Sequence, residues 1–152
     1  MSKHTISLTV DCSAPINEVW LKVTDWNSQG DWMLQTKVWS TDGDGVTIFA
    51  FTGPLYRFYP RLAFLGVLDI MKVSSWNPPY SCDVVHIGKV IRGTGTFRLE
   101  SNQTGSTTFH WSETIEAPAL LFALIRPFFI AGVLISLKRF SRTFIESPKA
   151  RG

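Results

Sequence analysis

Between Ala119 and Leu137 the chain reads ALLFALIRPFFIAGVLISL, with Arg126 as its single charge. A run this apolar must leave water, either in a bilayer, whose core takes about 20 such residues to cross, or inside a protein. A membrane span would hold Arg126 within the hydrocarbon at a cost of roughly 2.5–3.5 kcal/mol near the centre. Pro127 disfavours the helical conformation at the residue before it, so the reading predicts a helix boundary at Arg126 and a new helix starting at Pro127. From there Ile130, Val133 or Leu134, Leu137, Phe140 and Phe144 recur at helical spacing, with Lys138, Arg139, Arg142 and Glu146 on the other side. That half has the pattern of a helix lying on a sheet. Ala119 to Ile125 is apolar on all sides and needs burial, a partner or a ligand.

The rest of the chain supplies the sheet. HTISLTVDC alternates, with Ile6, Leu8, Val10 and Cys12 on one face and Thr5, Ser7, Thr9 and Asp11 on the other, as in a half-buried strand. SAPINEVWLKV follows, with Pro15 in a first turn and Ile16, Val19, Trp20 and Val23 along one helical stripe. Asp25 is placed to cap a second short helix carrying Trp26 toward Trp32. TKVWST, GVTIFAFTG, VLDIMKVSSW, SCDVVHIGKV, RGTGTFRLES and STTFHWSETIE then read as strands, with TDGDG, WNPPY and SNQTGS as turns between them. Such short gaps imply antiparallel pairing. The interval 53–66, with Tyr56, Phe58 and Tyr59, is long enough to be a binding loop or a loop packed by its own aromatics.

The chain has 152 residues, which suits one domain with its own core. We expect residues 1–147 to form it and 148–152 to be a flexible basic tail. Net charge is +3, without the interleaved basic and aromatic residues of a nucleic-acid surface. The basic C-terminus reads first as a solvated helix face and secondly as a feature allowing transient membrane contact. Cys12 and Cys82 lack the spacing of a zinc or redox motif and read as buried free thiols. MSKHTISLTV has no long apolar stretch, so no signal peptide is expected and the protein is read as cytoplasmic.

The order strand, helix, short helix, antiparallel strands and long C-terminal helix resembles the START-like, or SRPBCC, superfamily. The resemblance rests on Ala14-Pro15, Val19-Trp20, Asp25-Trp26 and Trp32 in SAPINEVWLKVTDWNSQGDW. WNPPY, VVHIGKVIRGTGTF and FHWSETIEAP resemble the polyketide cyclase/dehydrase-like branch. The resemblance implies an α+β helix-grip fold: a curved antiparallel sheet of about seven strands around the C-terminal helix, with two short helices after the first strand. It also implies a deep apolar cavity between sheet and helix, roofed by the apolar run.

Strand alternation nominates the inner side chains. Phe109, Trp111, Glu113 and Ile115 share a face, as do Val67, Asp69, Met71 and Val73, and also Cys82, Val84 and His86. Asp69, His86 and Glu113 thus become polar groups on an apolar surface, where they need partners and are able to serve as acid, base or ligand anchors. The candidate ligand-binding set is Asp69, Met71, Val84, His86, Phe97, Phe109, Trp111, Glu113 and Phe128. Gly93 and Gly95 share the inner face with Phe97, where absent side chains favour sheet curvature first and close ligand approach second. Arg92 is expected to point away. Trp26 and Trp32 read as core plugs. No metal-ligand spacing and no cofactor motif stands out, and catalytic residues are not identified.

Two functions compete. One is a carrier or sensor that binds an apolar small molecule, lipid-like or polycyclic, in the cavity. The other is a polyketide cyclase/aromatase-like enzyme using His86, Asp69 or Glu113 to move protons. Fold alone does not choose between them. A third, a peripheral lipid-handling protein, would use the basic tail and apolar run on a bilayer.

Overall fold

A computed structural model describes residues 2–33, 36–41, 47–52, 67–88 and 91–145. Strand β1 (Ser2–Cys12) is followed by helix α1 (Ile16–Val23) and a 3₁₀ helix (Trp26–Asp31). Six strands come next: β2 (Thr36–Thr41), β3 (Thr47–Thr52), β4 (Val67–Asn77), β5 (Ser81–Ile87), β6 (Arg92–Ser101) and β7 (Thr107–Ala117). Helix α2 (Ala119–Ile145) completes the chain. The seven strands form one antiparallel sheet in the order β1-β7-β6-β5-β4-β3-β2, the helix-grip arrangement expected above. The 53–66 interval and the 148–152 tail lie outside the described residues.

Alternation sorts the side chains as the sequence implies. On β7, Thr107, Phe109 and Trp111 are buried, while Thr114 and Ser112 turn to the outer face and meet Thr5 and Ser7 of β1 at 2.8 and 3.1 Å. The core is an aromatic column. Phe109 is fully buried between Phe97 and Phe140, with ring centroids 5.7 and 5.4 Å away, and Phe140 also meets Trp32 at 4.8 Å. Trp26 and Trp32 are buried, so both are core plugs. Cys12 and Cys82 are buried free thiols, pushed up to about 12 by burial and by the neighbouring Asp11 and Asp83.

Helix α2 is tied down along its C-terminal half. Leu137 and Phe140 are buried, and Ile130, Val133 and Phe144 pack against the core. Ser141 Oγ donates to the Asp11 carbonyl at 2.6 Å, and Arg139 Nη2 donates to the Asp31 carbonyl at 3.1 Å. In the first turns only Phe122 is buried, stacked on the His4 ring at 4.2 Å.

Three expectations need correction. Pro127 does not divide the segment, because α2 is continuous through it. Proline removes the hydrogen bond to the carbonyl four residues back. That carbonyl belongs to Ala123, and Ala123, Arg126 and Pro127 are all exposed, so water can take the freed acceptor. The apolar run is also not a buried roof throughout: Leu120, Leu121, Leu124, Ile125 and Phe128 are exposed. Asp25 occupies the N-cap position of the 3₁₀ helix, but its side chain makes no capping hydrogen bond.

Candidate functional site

Strand register decides which inner side chains meet. Met71 of β4 pairs with His86 of β5, His86 pairs with Gly93 of β6, and Gly95 of β6 pairs with Glu113 of β7. Adjacent strands lie about 4.8 Å apart, so His86 and Glu113 start from backbones roughly 9.6 Å apart with β6 between them. A side chain on β6 would separate them. The two inner positions of β6 facing them are Gly93 and Gly95, and a Cβ on Gly95 would lie 3.6 Å from His86 Nε2 and 3.1 Å from Val84 Cγ2. The glycine gap lets the imidazole and the carboxylate meet above β6. Gly93 adopts φ +139°, and a Cβ there would lie 1.8 Å from the Thr114 carbonyl oxygen.

The result is a line of three ionisable groups. His86 Nδ1 donates to both oxygens of Asp69, at 2.8 and 2.9 Å. His86 Nε2 lies 2.8 Å from Glu113 Oε1. This second contact is an ion pair by distance, but the oxygen lies off the N–H direction and Nε2 has no aligned acceptor. The His86 side chain is 3% exposed, and those of Asp69 and Glu113 are 13% and 12% exposed, so the carboxylates keep slight contact with solvent. Burial by itself lowers the His86 pKa. The hydrogen bond to Asp69, the close contact with Glu113 and the charges of both carboxylates outweigh burial and push it up to about 9. At neutral pH His86 is therefore an imidazolium between two carboxylate groups.

The three donors lie within 4.8 Å of one another, close enough to raise the question of a cation. The geometry fits a proton better. Each carboxylate faces a different ring nitrogen, and the in-plane directions of those nitrogens diverge. A protonated imidazole offers a donor on each side, whereas a metal would need one bare nitrogen with both carboxylates gathered around it.

The other nominated residues divide into three groups. Met71 and Val84 lie beside the triad on the same inner face, Met71 half-buried and Val84 buried. Phe97, Phe109 and Trp111 are buried further along the sheet, where Phe97 and Phe109 form part of the aromatic column and Trp111 meets Phe129 at 6.0 Å. With Phe97 and Phe140 packed against it, Phe109 is a core residue rather than a cavity wall. Phe128 is 80% exposed, off the buried stripe of α2, and does not join the inner face, a correction to its place among the candidates. Arg92 is exposed, as expected. The reading favoured curvature for Gly93 and Gly95 and did not identify the gap they provide. It also did not single out Ile6, buried opposite Glu113 on β1. Those roles depend on cross-strand register, which alternation along one strand does not contain.

A groove of about 470 Å³ lies on the outer face, lined in part by Ser7, Thr9, Arg98, Glu100 and His110. His110 there contacts Glu100 at 3.2 Å, exposed to solvent. The sheet separates it from the triad.

No family model matches the sequence, and no curated protein does. Solved structures do. An aromatase/cyclase from a Streptomyces species, Zhui, superposes with a TM-score of 0.77 at 13% identity, covering 99% of each chain. A START superfamily protein from Mycobacterium smegmatis gives 0.72 at 11% identity over 92% of this chain and 98% of that one. The di-domain aromatase/cyclase StfQ of the steffimycin biosynthetic pathway gives 0.72 at 9% identity, with this chain matching 52% of its length. At such identities the likeness is one of fold. The chain has a START-like, polyketide cyclase-like fold.

Proposed function

We propose that the protein binds an apolar small molecule that carries a hydrogen-bonding oxygen, as a carrier or sensor, with the ligand's polar end at His86 and Glu113. One observation carries this reading: a charged triad set into an apolar inner face, with an imidazolium N–H that has no aligned acceptor. The Glu113 carboxylate 2.8 Å away holds that N–H by charge, and the N–H direction itself is left for an oxygen of the ligand. A carbonyl, enol or phenol oxygen would satisfy it, while Met71, Val84 and the neighbouring aromatic residues would cover the ligand's apolar body. The same groups support a second reading, favoured by the two aromatase/cyclase neighbours. Glu113 would take a proton from the carbon between two ketone carbonyls while His86 donates to the carbonyl oxygen on which the enol forms. Both readings suit a cytosolic protein with reduced thiols, and cell fractionation tests that placement.

Native mass spectrometry of protein taken from its own host tests the binding. The expected result is a retained apolar ligand that is lost in His86→Ala and Glu113→Gln variants of unchanged fold. Ligand-free protein that also fails to bind apolar fluorescent probes would overturn the reading. Turnover of a poly-β-ketone that collapses in both variants, at unchanged affinity, would establish the enzyme instead.

A further inference from the structure

Helix α2 is apolar on two sides. One side meets the sheet through Phe122, Leu137 and Phe140. The other carries Leu120, Leu124, Phe128, Ala131 and Ile135, spaced by three or four residues and therefore aligned in one outer stripe. Leu120, Leu124 and Phe128 are 76%, 64% and 80% exposed, and Leu121 and Ile125 widen the stripe. A contiguous apolar strip of this kind marks a contact surface. Its charge selects the occupant. Helix α2 contains no Asp or Glu but four cations, Arg126, Lys138, Arg139 and Arg142. Lys138 and Arg142 continue the line of the outer stripe beyond Ile135 and are exposed.

We infer that the outer stripe of α2 docks flat on an anionic lipid bilayer, with Leu120, Leu124, Phe128 and Ile135 entering the headgroup–acyl boundary and Lys138 and Arg142 meeting lipid phosphates. An apolar strip continued by basic residues is the pattern of an interfacial helix. A second copy of the chain fits less well, because its own stripe carries Lys138 and Arg142 and offers them no anionic partner. A transmembrane span fits less well, because it would strip away the sheet that covers Leu137 and Phe140. The inference stands whether or not the inner face binds a ligand.

Flotation of the full chain with vesicles tests it, using phosphatidylcholine alone or mixed in equal parts with phosphatidylserine. The protein is expected to float with the anionic vesicles and to do so less at high salt. Phe128→Glu is expected to weaken this binding at least tenfold, and Leu124→Ser to weaken it in the same direction. Replacing Lys138 and Arg142 with Gln is expected to lower binding about fivefold per charge on anionic vesicles while leaving binding to neutral vesicles unchanged. Absence of flotation on anionic vesicles, or equal flotation of Phe128→Glu, would overturn the inference. So would a wild-type dimer in light scattering that Phe128→Glu splits into monomers, since the occupant would then be a second copy.

Discussion

His86 and Glu113 stand on strands that do not pair, yet His86 Nε2 and Glu113 Oε1 lie 2.8 Å apart above the intervening strand. Contact across a strand is feasible because β6 presents glycine there, and it joins the imidazole to a second carboxylate beyond the Asp69 that β4 supplies. The charge state of the site follows from that gap.

Gly95→Val should place a branched side chain between the two groups, 3.1 Å from Val84 Cγ2 already at its Cβ. The expected outcome is a folded protein whose His86 titrates at lower pH than in the wild type. Histidine ring signals followed by NMR across pH check this. An unchanged His86 midpoint would show that the glycine gap is not what brings Glu113 to the ring.

Gly93→Ala should destabilise the fold by more than about 3 kcal/mol, through positive φ together with collision against backbone. Gly105→Ala offers the contrast. Gly105 also has positive φ, +81°, but a Cβ there meets nothing within 4 Å, so only the conformational cost of roughly 1–2 kcal/mol applies. Urea denaturation of the two variants measures the difference.

Stability should fall as pH rises through about 9. The folded pKa of His86 is raised from 6.5 to about 9, so its contribution is fully present below 6.5 and is lost as the folded protein gives up that proton. The rise corresponds to on the order of 3 kcal/mol. Chemical denaturation at a series of pH values, compared with His86→Gln, checks the slope. Glu113→Gln should lower the His86 midpoint by roughly 1–3 pH units. A wild-type curve that coincides with that of His86→Gln from neutral pH to above 9 would refute the assignment.

Phe140→Ala should cost about 3–5 kcal/mol, because Phe140 is fully buried and joins Trp32, Phe109 and Phe144. Leu124→Ser, only a few turns away on the same helix, should change stability by no more than about 0.5 kcal/mol, since Leu124 is exposed. Thermal unfolding of the pair separates the packed face of α2 from the unpartnered one.

Zinc or manganese should leave the melting temperature unchanged at neutral pH, because each carboxylate already faces its own ring nitrogen of a protonated His86. A cation that raises the melting temperature of the wild type but not of His86→Ala would show that the triad gathers around metal instead.

The sequence by itself determined what depends on neighbours along the chain. Side chains two residues apart on a strand share a face, so Glu113 had to follow Phe109 and Trp111 inward and His86 had to follow Cys82 and Val84. Helical spacing likewise assigned Leu137, Phe140 and Phe144 to one side of α2. Tertiary structure decided what depends on neighbours across space. That Asp69, His86 and Glu113 form a single group rests on strand order and register, and a one-residue slip in either would part them. Local preference set a helix boundary at Arg126, but the chain runs helical through Pro127 where exposed backbone lets water replace the lost hydrogen bond. Phe128 is as apolar as Phe140. Helical phase turns Phe128 to the outer stripe and Phe140 to the sheet, and only the packed sheet makes the second side the buried one.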